Sequence, residues 1–202
     1  MSLNLLLATT NAGKLREIRG VLAGLPLDLV TLADVPPMPE PEEHGATFQE
    51  NARSKALEYA KATGRLVVAE DSGLEIDALD RAPGVHSARF AADKAPTYPE
   101  KFELIYRLLR ERVGEVDSTA RFVCALALAE PGRILFEATG RVEGRITSPP
   151  RGSRGFGYDP IFYYPPFDAT LAELDPARKA SVSHRGQAFA QLREHITRTL
   201  GS

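Results

Sequence analysis

The sequence predicts an α/β protein with a mixed β-sheet and flanking helices, on three observations. Short apolar runs, "LNLLLA" and "RLVVA", alternate with stretches of helical period. The helix-start signature Thr-x-x-Glu occurs twice, at Thr47/Glu50 and Thr97/Glu100. Two longer strand-like runs, "ARFVCALALAE" and "RILFEATGRVEGRI", are separated only by the turn "EPGR". Strand–helix alternation builds parallel pairs and a close hairpin builds an antiparallel one, so the sheet is expected to be mixed. No internal repeat, low-complexity tail or linker interrupts the chain, and residues 1–202 read as one domain.

The elements follow in order. "LNLLLA" is a continuous apolar run and reads as a buried strand. "TTNAGKLREIRGVLAGL" then places Leu15, Ile18 and Leu22 at helical spacing, with Gly24 near the stop. "VPPMPEPEEHG" is a proline-rich acidic loop. A capping box at Thr47 and Glu50 opens a helix expected over 48–62, closed by Gly64. "RLVVA" is a second buried strand that ends at an acidic cluster. "TYPEKFELIYRLLRERVG" is a helix whose apolar face carries Phe102, Ile105, Leu108 and Leu109. After the hairpin, "SPPRGSRGFGYDP" is too rich in glycine and proline for a regular element. "SHRGQAFAQLREHITRTL" closes the chain as an amphipathic helix.

The totals exclude several classes. With 202 residues, 43% hydrophobic and 26% charged, the chain has an ordinary globular composition. A net charge of −2 and a pI near 6.1 argue against a protein that lives on nucleic acid. The single cysteine, Cys124, leaves no internal disulfide and no cysteine zinc site, which points to a cytoplasmic protein. No apolar run approaches the ~18 residues of a membrane span. The opening "MSLNLLLATT" lacks the basic region of a signal peptide.

Four stretches carry candidate chemistry. "ATTNAGK" joins a strand end to a helix N-terminus, where free amides and the dipole favour an anion, and Lys14 adds charge against that dipole. The plainer reading makes Asn11 an N-cap and Lys14 solvated. A P-loop is excluded, because Ala8 stands at the first glycine and Leu15 at the metal-binding hydroxyl. "EDSGLEID" sets Glu70, Asp71, Glu75 and Asp77 within eight residues, which calls for a lysine, a metal ion or water to relieve their repulsion. Asp71 follows a strand at the position where open α/β sheets hold ligands. With Glu42 and Glu43 it offers the hard oxygens that suit Mg2+; the plainer reading leaves the acid pair as a solvated loop. In "RGSRGFGYDP", Gly155 and Gly157 permit close approach, Phe156 and Tyr158 offer stacking faces, and Asp159 accepts hydrogen bonds. A rigid loop with aromatic core plugs is the alternative. In "RKASVSHRG", Arg178, Lys179, His184 and Arg185 crowd the start of the last helix, where Ser181 or Ser183 could be a cap.

Together, "ATTNAGKLREI", "EEHGATFQENARSKA", "EDSGLEIDAL" with "APGVHSARF", "GFGYDPIF" and "SHRGQA" preceded by Lys179 resemble, in order, the inosine triphosphate pyrophosphatase family. The resemblance implies an elongated α/β fold with two lobes around an active-site cleft, and a homodimer. It also implies Mg2+-dependent hydrolysis of ITP, dITP and XTP to the monophosphate and pyrophosphate. By motif, Thr9, Thr10, Asn11, Ala12, Gly13 and Lys14 would hold the triphosphate. Asp71 would be catalytic base and metal ligand, with Glu42 or Glu43 completing the metal site. Ser72, Phe156, Gly157, Tyr158, Asp159, Lys179, His184 and Arg185 would contact the nucleotide. On this basis Mg2+ is the expected positive partner of the acidic cluster, and Arg185 is expected to read the purine oxygen at position six. Thr10 replaces a glycine common in the family, and Glu70 replaces an aspartate. The alternatives are a Maf-like pyrophosphatase for other modified nucleotides and a nucleotide-binding module without catalysis.

Overall fold

A computed structural model describes residues 3–200; Met1 and Ser2, the start of "MSLNLLLATT", and Gly201 and Ser202 lie outside the described residues. One continuous sheet runs in the order β2-β1-β3-β4-β5-β6-β7. Its strands are β1 (Leu3–Leu7), β2 (Leu27–Thr31), β3 (Val67–Ile76), β4 (Ser118–Glu130), β5 (Arg133–Ile146), β6 (Phe162–Tyr164) and β7 (Ala169–Thr170). Strand β1 pairs in parallel with β2 and β3, and every later pairing is antiparallel. The helices are α1 (Ala12–Leu22), α2 (Phe48–Thr63), α3 (Tyr98–Val113), α4 (Pro176–Val182) and α5 (His184–Leu200).

Helix starts and stops follow local chemistry. The Asn11 side chain accepts the Lys14 N–H, and both capping boxes form, at Thr47/Glu50 and at Thr97/Glu100. Gly64 and Gly114 end α2 and α3 at φ of +67° and +83°, values that glycine adopts without a Cβ penalty.

Three elements differ from the sequence expectation. Strand β2 was not foreseen; it is a half-exposed edge strand in which Asp28 weakens the apolar run. Strand β3 does not stop at the acidic cluster but runs through it, in register with β4 from Val67↔Ala129 to Ile76↔Ala120. Ten paired positions override the poor strand propensity of "EDSG". The expected terminal helix forms as α5, but a separate short helix, α4, precedes it and was not foreseen, the two being broken at Ser183.

The core falls into three clusters. One packs α2 residues such as Ala52, Ala56 and Tyr59 on a sheet face made by Val67, Ala69, Val123 and Ala125. A second packs Ile18 and Leu22 of α1 and Phe189 and Leu192 of α5 on the opposite face, over Val68, Cys124 and Leu126. The third lies farther along the same long strands and joins Leu74, Ile76 and Phe122 to Phe102, Ile105 and Leu109 of α3. The first two lie on opposite faces at one end of the long strands and make one lobe; the third, at the other end, makes the second. The stretch Glu70–Gly73 falls between them, at a waist where one core ends and the next begins.

Candidate active site

The waist has an open edge. Strand β1 pairs with β3 only through Leu6↔Val67 and Leu7↔Val68, and then the chain turns away into α1. Over Glu70–Gly73, β3 keeps β4 on one side, Ser72↔Cys124 among the pairs, and among the described residues pairs with no strand on the other; farther along, Pro83 bridges Glu75. Successive side chains on a strand point to opposite faces. That period sorts the adjacent acids: Glu70 and Ser72 face α1 and α5, whereas Asp71 faces α2.

On the first face, Glu70 lies 2.9 Å from Lys14 Nζ and 3.2 Å from Arg185 Nη2. Burial would raise its pKa, but Arg185 and Lys14 hold the carboxyl well below the usual carboxylate range. Arg185, buried, also donates to Glu17 at 2.6 Å and to the Ser72 hydroxyl at 2.8 Å. Lys179 bonds Glu17 at 2.7 Å and also Asp159, whose carboxylate accepts the Phe156 N–H at 2.8 Å. The Phe156 ring centroid is 5.0 Å from Lys179 Nζ and 5.5 Å from Arg185 Cζ. The ring also lies close over Gly13, where an added Cβ would stand 2.6 Å from Phe156 Cδ1. His184 stacks on Phe122 at 4.7 Å, and its Nδ1 is buried without a partner. Burial and the neighbouring Arg185 and Lys179 depress the imidazole pKa well below normal, so it is neutral.

On the second face, Asp71 accepts the Asn51 side-chain N–H at 2.9 Å and lies 3.9 Å from Lys55 Nζ. Burial outweighs both partners, and its pKa is raised. Lys55 donates to Glu43 Oε1 at 2.6 Å, and Arg89 donates to Glu43 Oε2 at 2.5 Å. Lys55 is buried, yet Asp71 and Glu43 outweigh the desolvation and raise its pKa.

A narrow cavity of about 80 Å³ collects most of the predicted residues: Asn11, Lys14, Ser72, Phe156, Gly157, Tyr158, Asp159, Lys179, His184 and Arg185. Thr9 and Thr10 precede α1 in the turn beside Asn11, half-buried and exposed, Ala12 is the exposed first residue of α1, and Gly13 lies under Phe156. The acid pair is divided: Glu43 turns inward to Lys55, whereas Glu42 sits in solvent beside His44 and touches neither Asp71 nor Lys55. Glu70 pairs with Lys14 and Arg185, and Glu75 and Asp77 are met by Arg121. Lys179 is not at a helix start but in the last turn of α4, where the dipole favours it, and Arg178 leans over the Phe167 ring instead. Sequence reasoning missed Glu17, Asn51, Lys55 and Arg89. Asn51 and Lys55 did carry a signal, since an i, i+4 pair on α2 shares one face.

Five carboxylates (Glu17, Glu43, Glu70, Asp71, Asp159) thus meet five basic groups (Lys14, Lys55, Arg89, Lys179, Arg185) around flat aromatic faces. Fold and site define an α/β protein with a charged interlobe cleft suited to a polyanion that carries a ring. The family model described as the Ham1 family matches residues 5–195, and the chain belongs to that family. A dITP/XTP pyrophosphatase of Exiguobacterium sp. AT1b is 49% identical over 96% of this chain and 97% of its own. The HAM1 protein structure from Coxiella burnetii superposes with a TM-score of 0.85 at 42% identity, covering 97% of this chain and 99% of that one. The structure of a nucleoside-triphosphatase / dITP/XTP pyrophosphatase from Mycobacterium abscessus gives a TM-score of 0.72 at 42% identity, over 94% and 98% of the two chains.

Proposed function

We propose that this chain is a nucleoside triphosphate pyrophosphohydrolase that converts dITP, ITP and XTP to the monophosphate and pyrophosphate and so removes non-canonical purines from the nucleotide pool. The observation that carries the mechanism is Asp71: a buried carboxylate on an open strand edge, with a raised pKa and, among the described residues, no cation closer than 3.9 Å. Every other carboxylate of the site has a basic group within hydrogen-bond distance.

A metal fits here on the chemistry of the donors. Among the described residues no three-ligand cage stands ready. Glu43 and Asp71 nevertheless converge on one cation, the Lys55 ammonium, from the α2 side. Two hard carboxylates with substrate oxygens and waters are what Mg2+ takes. Bound there, Mg2+ would neutralise developing charge on the phosphates and lower the pKa of the attacking water. The balanced charges of the site call for such a counterion, because its own basic groups are already committed to carboxylates.

Lys14 and the first amides of α1 bind the triphosphate. Asp71 orients a water, held in turn by Asn51, and accepts its proton as oxygen bonds to the α-phosphorus. The α–β anhydride bond breaks and pyrophosphate leaves with the electron pair. The purine enters the cavity when the Phe156 ring lifts from Gly13 and stacks on it. Lys179 and Arg185 present donors to a six-oxo purine, and the unpartnered His184 Nδ1 gains a partner. Adenine's amino group would meet those donors unpaired, a strong basis for rejection. The cytoplasm and a homodimer are the expected setting.

The test is product analysis with ITP, XTP, GTP and ATP, with Mg2+ or EDTA. Monophosphate and pyrophosphate from ITP and XTP, little from ATP and none with EDTA are expected, and GTP, which shares the six-oxo group, reports whether a second contact reads position two. Diphosphate and orthophosphate would place the attack at the γ-phosphorus and overturn the reading.

A further inference from the structure

Glu43 has both carboxylate oxygens occupied, Oε1 by Lys55 at 2.6 Å and Oε2 by Arg89 at 2.5 Å. A metal that uses Glu43 must displace one of the two. We propose that Arg89 is the residue displaced, and that it is a phosphate-binding residue: it guards Glu43 in the empty cleft and transfers to the triphosphate when Glu43 turns to the metal. The proposal rests on the metal-assisted pyrophosphohydrolase reading above.

The two cations differ in how firmly they are held. The Lys55 side chain is 9% exposed, is rooted on the buried face of α2 and is shared with Asp71. The Arg89 side chain is 61% exposed and has Glu43 as its carboxylate partner. Exposed ion pairs are individually weak, so releasing Arg89 costs little while releasing Lys55 strands a buried ammonium.

Position also favours Arg89. It lies in a run of turns spanning residues 87–94, directly after Ser87 and Ala88, which line the nucleotide cavity. The other basic groups of the α1–α5 face meet the nucleotide with their remaining N–H donors while staying paired to buried carboxylates. Lys14 is on buried Glu70, Lys179 is on Glu17 and Asp159, and Arg185 is on Glu17, Glu70 and Ser72. Arg89 is the exposed one of the five, and a guanidinium fork matches phosphate oxygens in two parallel bonds. Exchange of Glu43 for a phosphate keeps Arg89 paired in both states and frees Glu43 only when substrate arrives.

The experiment is a Mn2+ titration of the purified full chain, read by the electron paramagnetic resonance of free Mn2+, without nucleotide and with a non-hydrolysable α,β-methylene ITP analogue. Arg89→Met removes the competitor and the phosphate donor together. It should bind Mn2+ more tightly without nucleotide, by about threefold or more, and bind the analogue on the order of tenfold more weakly, as loss of a charged hydrogen bond implies. Arg89→Lys, a point charge without the fork, should fall between. Unchanged constants would reduce the pair to a surface contact, and parallel weakening of both would make Arg89 a mere support for Glu43; either overturns the exchange. A wild-type chain whose Mn2+ binding ignores Glu43→Gln and Asp71→Asn would instead sink the metal reading itself, and the exchange with it.

Discussion

Two neighbouring acids have opposite electrostatic fates because a strand alternates its faces. Glu70 is held ionised by Lys14 and Arg185, while Asp71 is buried with a distant lysine and pushed towards its neutral form. Asp71→Asn should lower turnover by roughly 10²–10⁴-fold, the usual worth of a positioned proton acceptor. Binding of the non-hydrolysable analogue, measured by calorimetry, should survive. Near-normal turnover would remove the assigned role. Glu70→Gln should act on stability, because it leaves buried Arg185 and Lys14 short of their shared counter-charge. Removing one partner of a buried pair costs about 3–5 kcal/mol. The pH dependence has a definite sign. The native pKa of Glu70 is depressed, so its contribution is present above the unfolded-state value of about 4.3 and is lost as pH falls through the native value. The difference between wild type and Glu70→Gln in urea unfolding should therefore be full at neutral pH and shrink only on strong acidification.

The elements position these side chains by close backbone approach. Helix α5 begins directly over β5 at Gly140, where an added Cβ would stand 2.0 Å from the His184 carbonyl oxygen and 2.7 Å from the Ala188 nitrogen. Both neighbours are backbone, so nothing flexible can yield. Gly140→Ala should push the first turn of α5 outward, cost about 1–3 kcal/mol as overpacking does, and displace His184 and Arg185 from the cavity. A raised KM with lowered thermal stability is the expected pair of readouts; an unchanged melting temperature would mean that the strand bends instead. Helix α2 plays the corresponding part on the other face. Its capping box fixes where the helix starts, and so sets Asn51 and Lys55 one turn apart opposite Asp71.

At the scale of the whole molecule, the cleft lies where two lobes built on the same strands meet, and its five acids and five bases cancel. With its own charges balanced, such a site is expected to bind a triphosphate weakly unless a further cation accompanies it. Melting temperature is expected to rise far more with the ITP analogue and Mg2+ together than with either alone, since only the joint complex adds net binding to the native state. Equal shifts with and without Mg2+ would contradict that coupling.

The sequence by itself determined what depends on local order. The capping boxes, the helical faces of α2 and α3, the β4–β5 hairpin and the four chemical stretches are all properties of neighbouring residues, and were legible for that reason. The mixed-sheet class follows from their alternation. Only the tertiary structure decided which charge meets which. The continuation of β3 through "EDSG" depends on pairing with β4, and that pairing sends Glu70 and Asp71 to opposite faces. That Glu43 rather than Glu42 turns inward depends on Lys55, twelve residues away from Glu43, and Glu17 meets the site only because α1 packs beside α4 and α5. Charge pairing acts over ångströms in space, whereas a sequence records only distance along the chain.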